Sequence, residues 1–384
     1  MNSTDVPFDD DCDFRYSTEE ATPQLHNIYH KIMFLGFVPL IVTFGLFWNL
    51  AMLFVVYRVK SMRNTTNVYL SNLAVSDAAL LVTSGIQYLT TYSNASIDLA
   101  SDFSFATPLG CLAFEMAAEL FYFASVFLVW LVTFERYLAV CHPMRHLKIK
   151  GKRWTVSMTI GVWIASLSIA VLAYPYHEVQ QICVRWPDES KFRTLQSKFP
   201  LCSLASYVYE NEKMRVNLEF WPRLFDVCQF TLAVSMCTYM FIRMIYTLST
   251  RCNPNAAETL AVRNQIARML ILNGTVFFLC LVPFRMININ SLSLLVTNKD
   301  IFSNLRIIYI IWLARVTTLV NSAINPILYN VSNATYRAAF AEAFGRKKKK
   351  TSAGSRQRTA KTPMSTRLSD HDQGIRQVVP KCPA

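Results

Sequence analysis

Asp77 is the only acid in the stretch "NLAVSDAALLV", and no charge follows it until beyond Ile97. Ser125, Asn321 and Ser322 lie in other charge-poor stretches. One carboxylate with hydroxyl and amide oxygens from neighbouring segments is a donor set that suits a hard cation such as sodium. The same groups also serve as hydrogen-bonding glue between helices, and the two roles are compatible. A second group is the adjacent pair Glu135 and Arg136, which closes fifteen uncharged residues, Leu120–Phe134, and is followed at once by Tyr137. An arginine there can rest in an ion pair or turn into a cleft, a two-state behaviour; the simpler alternative is an arginine that snorkels to a lipid boundary. A third set is mixed in sign. Glu115 and Glu119, four apart, share one face of a helix, and Glu219, Arg223, Asp226, Arg285 and Arg315 occupy comparable positions in other apolar stretches. These charges suit recognition of a polar ligand. No HExxH or GxSxG motif is present, so no enzyme is expected and no cofactor beyond an allosteric sodium ion.

The elements that must carry these residues are membrane helices. Of 384 residues, 53% are hydrophobic and 16% charged, too few charges for an ordinary soluble chain. Charge-poor stretches recur, such as the 26 residues Ile32–Tyr57, and a bilayer core needs about 20 apolar residues per helix. Seven spans are predicted at 28–58, 66–93, 107–142, 152–177, 214–249, 258–291 and 304–330. Seven such runs exclude a soluble helical protein, and the lack of period-2 alternation argues against a barrel. The expectation is an all-α membrane protein, a seven-helix bundle. Basic residues concentrate after spans 1, 3, 5 and 7, as in Arg145, Lys148, Lys150, Lys152 and Arg153, which puts those loops in the cytoplasm and the N-terminus outside. Residues 1–27 then form an acidic outer tail, 28–331 the bundle, 332–345 a short amphipathic helix on the inner surface, and 346–384 a disordered basic tail. Asn2 and Asn94 head glycan acceptor sequences on the outer side. No basic region precedes an apolar core at the N-terminus, so no cleaved signal is expected. Cys111, at the outer end of span 3, and Cys183, in the second outer loop, are the candidate bridged pair, with Cys12 and Cys202 a second possibility. "QQICVRWPD" reads as a strand entering a hairpin.

Asn49, "LAVSD" with Asp77, "ERY" with Arg136, Trp163 and "NPILY" at Asn325–Tyr329 occur in the order and at the spacing of rhodopsin-like G protein-coupled receptors. The chain resembles that family over residues 28–345. "FERYLAVCHP" and "NQIARMLILNGTVFFLCLVPFR" are similar to the peptide-receptor branch, among which the thyrotropin-releasing-hormone and neuromedin U/ghrelin receptors are near. The resemblance implies a plasma-membrane receptor that activates a heterotrimeric G protein, Gq-type favoured, with arrestin and receptor kinases meeting the Ser/Thr-rich tail. It implies that Glu135 holds Arg136 at rest, that Arg136 swings toward Tyr239 and Tyr329 on activation, and that Phe277, Pro283, Asn325 and Pro326 belong to the moving parts. Met144, after Pro143, is expected to enter the partner's groove. Three positions depart from the family. Leu281 stands where a tryptophan is usual, Thr231 where span 5 usually has a proline if Tyr239 is the family tyrosine, and Arg263 where an acid is common at the base of span 6.

The resemblance also bears on the ligand, and two subfamilies can be argued against. Retinal needs a lysine in span 7, and 304–330 has none; amine receptors carry an aspartate where Ala118 stands. The charged outer half suits a peptide end rather than a lipid. Glu119 matches the acid of ghrelin and neuromedin U receptors, and Arg285 and Arg315 match the arginines of thyrotropin-releasing-hormone receptors. A short, C-terminally amidated peptide is expected, with Glu119 paired to Arg285 in the empty receptor. A transporter would show internal repeats, and none is found; a ligand-independent receptor is the remaining alternative, to which Leu281 lends weight. Nothing calls for nucleic acid as a partner.

Overall fold

The computed structural model describes residues 14–15, 32–94, 108–149, 151–173, 177–190, 192–193, 198–204, 212–250, 257–297 and 304–345. A π-helical run, Ile32–Phe37, leads into α1 (Val38–Arg58), which starts with Pro39 in its first turn, where a missing N–H costs nothing. The other long helices are α2 (Thr65–Asn94), α3 (Pro108–Cys141), α4 (Lys152–Ala173), α5 (Glu212–Thr250), α6 (Ala257–Thr297) and α7 (Asn304–Ser332). Among the described residues, α1 to α6 are long and apolar enough to cross a membrane, and α7 spans 29 residues. The chain is a multi-pass membrane protein with a seven-helix bundle.

The helices close a ring. Neighbours pack in order from α1 to α4, α5 packs on α6, α6 on α7, and α7 returns to α1 and α2. α3 is the hub, touching α2, α4, α5 and α6. Burial explains the arrangement. The inward faces hold a core that includes Leu73, Leu128, Val132, Met240, Met244, Phe277 and Tyr329, while large apolar side chains such as Leu40, Phe47, Ile164, Leu232 and Ile242 point outward. An apolar outer face is stable only against lipid. Close seams depend on small residues. A Cβ at Gly45 would stand 2.6 Å from Leu81 Cδ1 and 2.7 Å from Ala323 Cβ, so only glycine lets α1 reach both α2 and α7. At Gly274 an added Cβ would come within 2.6 Å of Phe241 Cζ, where α5 lies on α6. Pro222, Pro283 and Pro326 sit inside α5, α6 and α7, where each removes a backbone hydrogen bond.

Two peripheral features complete the fold. Antiparallel β2 (His177–Arg185) and β3 (Lys198–Leu204) form the expected hairpin, and β1 (Phe14–Arg15) adds in parallel to the end of β2. The molecule is thus helical with a small sheet, and β2 rests against α3. The α8 helix (Ala334–Ala343) is capped by the Asn333 side chain, which accepts from Thr335 N, and it buries Tyr336, Ala339, Phe340 and Ala343 along one face. Phe340 meets Trp48 of α1, and the Tyr336 hydroxyl donates to Asn67 of α2. Burial pushes the Tyr336 hydroxyl above its usual range, which keeps it a donor.

Candidate functional site

The outer site is built by α5 and α6. Arg285, two residues beyond Pro283, is buried and forms an ion pair with Asp226 of α5. Asn288, three residues along α6, donates to the same Asp226 Oδ2 at 2.6 Å. Three rings surround the guanidinium carbon, with centroids at 5.0 Å for Tyr122, 4.9 Å for Phe230 and 5.3 Å for Phe284. The partner of Arg285 is therefore Asp226 and not the Glu119 expected from sequence. α5 packs directly on α6, so the arginine reaches the acid on the adjoining wall, and Glu119 acts on both charges only electrostatically from α3. Glu115 accepts from Gln87 Nε2 at 2.8 Å and ties α3 to α2. Arg315 lies 5.5 Å from the ring of Tyr88, against α2. The two arginines thus face different walls of the bundle.

Midway down, Asp77 is fully buried. Ser125 Oγ donates to Asp77 Oδ1 at 2.9 Å, Asn325 Nδ2 donates to Oδ2 at 2.6 Å, and Ser76 and Ser125 hydroxyls meet at 2.8 Å. Asn49 Nδ2 donates to the carbonyls of Gly45 and Ser322, both at 2.9 Å, which joins α1 to α7. Asn321 Oδ1 and Asn325 Oδ1 are buried and have no hydrogen-bond partner, and the buried Ser322 hydroxyl stands beside Asp77. One carboxylate beside unused neutral oxygens fits a small monovalent cation. Among the described residues no group of three His, Cys, Asp or Glu side chains could hold a metal.

At the inner end of α3, Arg136 Nε stands 3.0 Å from Glu135 Oε2. Thr66 Oγ1 donates to the same oxygen at 3.2 Å, and His146 Nε2 lies 3.7 Å from Glu135 Oε1. Met144, in the short helix Pro143–Ile149, is 71% exposed and open to a partner. The chain matches the 7 transmembrane receptor (rhodopsin family) over residues 48–329. It belongs to that family. The receptor is 26% identical to a Caenorhabditis elegans neuromedin U receptor homolog over 86% of its own length and 85% of that protein. It is 25% identical to the Rattus norvegicus somatostatin receptor type 5, covering 78% and 74% of the two chains. Against the Homo sapiens thyrotropin-releasing hormone receptor the identity is 24% over 89% and 85%. Receptors of this family are not enzymes.

Tyr329 is buried with its hydroxyl unpartnered and its ring 5.9 Å from Tyr336. Tyr239, expected as a landing place for Arg136, is 57% exposed on the outer face of α5 and packs 6.4 Å from the Tyr137 ring. Phe241, two residues on, is the buried aromatic at that level. The helix therefore presents a different face inward from the one Tyr239 implied. Phe277 packs on Phe278, which packs on Phe230, and Leu281 is buried one turn above Phe277. Trp163 Nε1 donates to Asn72 at 3.0 Å. Cys111 and Cys183 are both disulfide-bonded. Asn94 closes α2, while Asn2, Cys12 and the tail from 346 lie outside the described residues. Two contributors to these sites, His146 and Asn288, were not expected: a histidine eleven residues past Glu135 and an asparagine in a helix carry no periodic signal. Asn325, expected among the moving parts, also donates to Asp77 and so joins its hydrogen-bonded cluster.

Proposed function

We propose that this receptor is activated by a short peptide with an amidated C-terminus, which enters between α3, α6 and α7 and turns on a heterotrimeric G protein. One observation carries the ligand reading: Arg285 already has an acid of its own in Asp226. Arg285 is neutralised by Asp226, and Glu119 adds a further acid close by. A neutral amide carbonyl or a basic side chain suits that site, whereas a free carboxylate would add a third negative group. Relatives named for thyrotropin-releasing hormone, neuromedin U and tachykinin-like peptides support a peptide. On the inner side, Arg136 leaves Glu135 and stacks on the G protein, with Met144 in its groove and Gq-type coupling favoured. Arrestin and receptor kinases meet the tail, Lys347–Lys350 hold anionic lipid, the N-terminus with Asn2 is outside, and Cys111 bonds Cys183. Sodium at Asp77, with Ser125, Asn325, the unused oxygen of Asn321 and the Ser322 hydroxyl, stabilises the resting state. A calcium-readout screen of amidated neuropeptides and their free acids against cells expressing the chain tests this. The amides should act where the acids do not, and Arg136→Ala should keep binding while losing nucleotide exchange. Equal potency of amide and acid would overturn the ligand reading.

A further inference from the structure

Gln229 lies in α5 three residues after Asp226 and one residue before Phe230, and both of those neighbours touch Arg285. Both polar atoms of its amide, Oε1 and Nε2, are buried without a hydrogen-bond partner. So are Arg285 Nε and Nη2 and the Tyr122 hydroxyl, whose ring lies 5.0 Å from the Arg285 guanidinium. Five unpartnered polar atoms thus belong to three residues, one each on α3, α5 and α6. A folded chain leaves few buried polar atoms unmatched, and such a concentration needs a cause.

We propose that Gln229 reads the ligand's terminal carboxamide by an amide-to-amide pair. Resting on the peptide reading above, this names the residue that separates an amide from an acid. Gln229 Nε2 donates to the ligand carbonyl, and Gln229 Oε1 accepts from the ligand N–H. Arg285 supplies the second donor to the same carbonyl, and the Tyr122 hydroxyl accepts from the ligand's other N–H. A carboxylate has no N–H for Oε1 and adds charge beside Asp226 and Glu119, so it fails on two counts. The empty receptor closes over these atoms, and the ligand gains by satisfying them. That makes binding favour a rearranged junction of α5 with α6 over the closed one.

The test uses Gln229→Met, which keeps the side chain's length and removes its polar atoms. Thermal unfolding of the ligand-free receptor comes first. An unpartnered amide is a burden, so the variant should melt at or above the wild-type temperature; a melt several degrees lower would mean that Gln229 is a bonded structural residue and would overturn the proposal. The second arm uses two pools of synthetic probes, Ac-Arg-Xaa-NH2 and the matching free acids, with nucleotide exchange as readout. Wild type should prefer the amides by about tenfold or more, the worth of one good hydrogen bond, and the variant should lose that preference. A preference unchanged in the variant overturns the role of Gln229 while leaving the peptide reading intact. Wild type indifferent to both pools removes the amidated-peptide reading itself, and this proposal with it.

Discussion

Arg285 brings a full charge into a space bounded by three aromatic rings, and Asp226 makes that tolerable. Removing one partner of such a pair leaves the other unpaired, a loss of about 3–5 kcal/mol, while removing both is far cheaper. Asp226→Asn should therefore lower the receptor's melting temperature sharply, and Asp226→Asn with Arg285→Met should restore most of it. A double variant as unstable as the single one would refute the pairing. Asp77 gives a second prediction at this scale. Agonist affinity should fall as sodium rises, and Asp77→Asn should flatten that response; an unchanged sodium dependence in the variant would remove the ion from the site. Asp77, Ser125 and the Glu135–Arg136 pair were legible in the sequence because polar groups at bilayer depth are rare. The partner of Arg285 was not. Four acids, Glu115, Glu119, Glu219 and Asp226, lie in the outer half, and a linear sequence does not say which helix stands beside α6.

Spans 2, 3, 5 and 7 were legible to within two residues, since charges and prolines mark where lipid ends, whereas α4 stops at Ala173 instead of 177, with His177 already in β2, and α6 runs on to Thr297 instead of 291. Span 2, expected at 66–93, is Thr65–Asn94, and span 3, expected at 107–142, is Pro108–Cys141. Rotation of a span about its own axis was much less legible. In α5 the outward Leu232, Ile242 and Ile245 are as apolar as the inward Phe230, Cys237 and Met244. With lipid on one side and core on the other, neither face needs polar residues, so the pattern of side chains does not say that Phe241 rather than Tyr239 turns inward. Packing between elements is set by small residues instead. Gly45→Ala should cost about 1–3 kcal/mol through overpacking against Leu81 and Ala323. Gly161→Ala, at a glycine with nothing within 4 Å, is the control that should leave the melt unchanged. A neutral Gly45→Ala would show that α1 can slide outward freely.

Across the whole molecule, α3 strings the three sites together: Glu119 in the outer cluster, Ser125 at the buried acid and Glu135 at the inner pair. Sixteen residues separate Glu119 from Glu135, about 24 Å along a helix at 1.5 Å per residue. A ligand's effect must cross that distance past the seam where α6 is held to α5, at which Phe241 fills the place a side chain at 274 would need. That contact has a consequence for cells that never meet the agonist. One methyl group at position 274 would act as a wedge between α5 and α6 and shift the resting set-point of the tissue. Gly274→Ala, at matched surface density, should raise basal nucleotide exchange and leave less for an agonist to add; a resting level equal to wild type would mean that the Phe241 ring swings aside at no cost. Signalling tone in the absence of any ligand would then be set by a glycine that the ligand never touches.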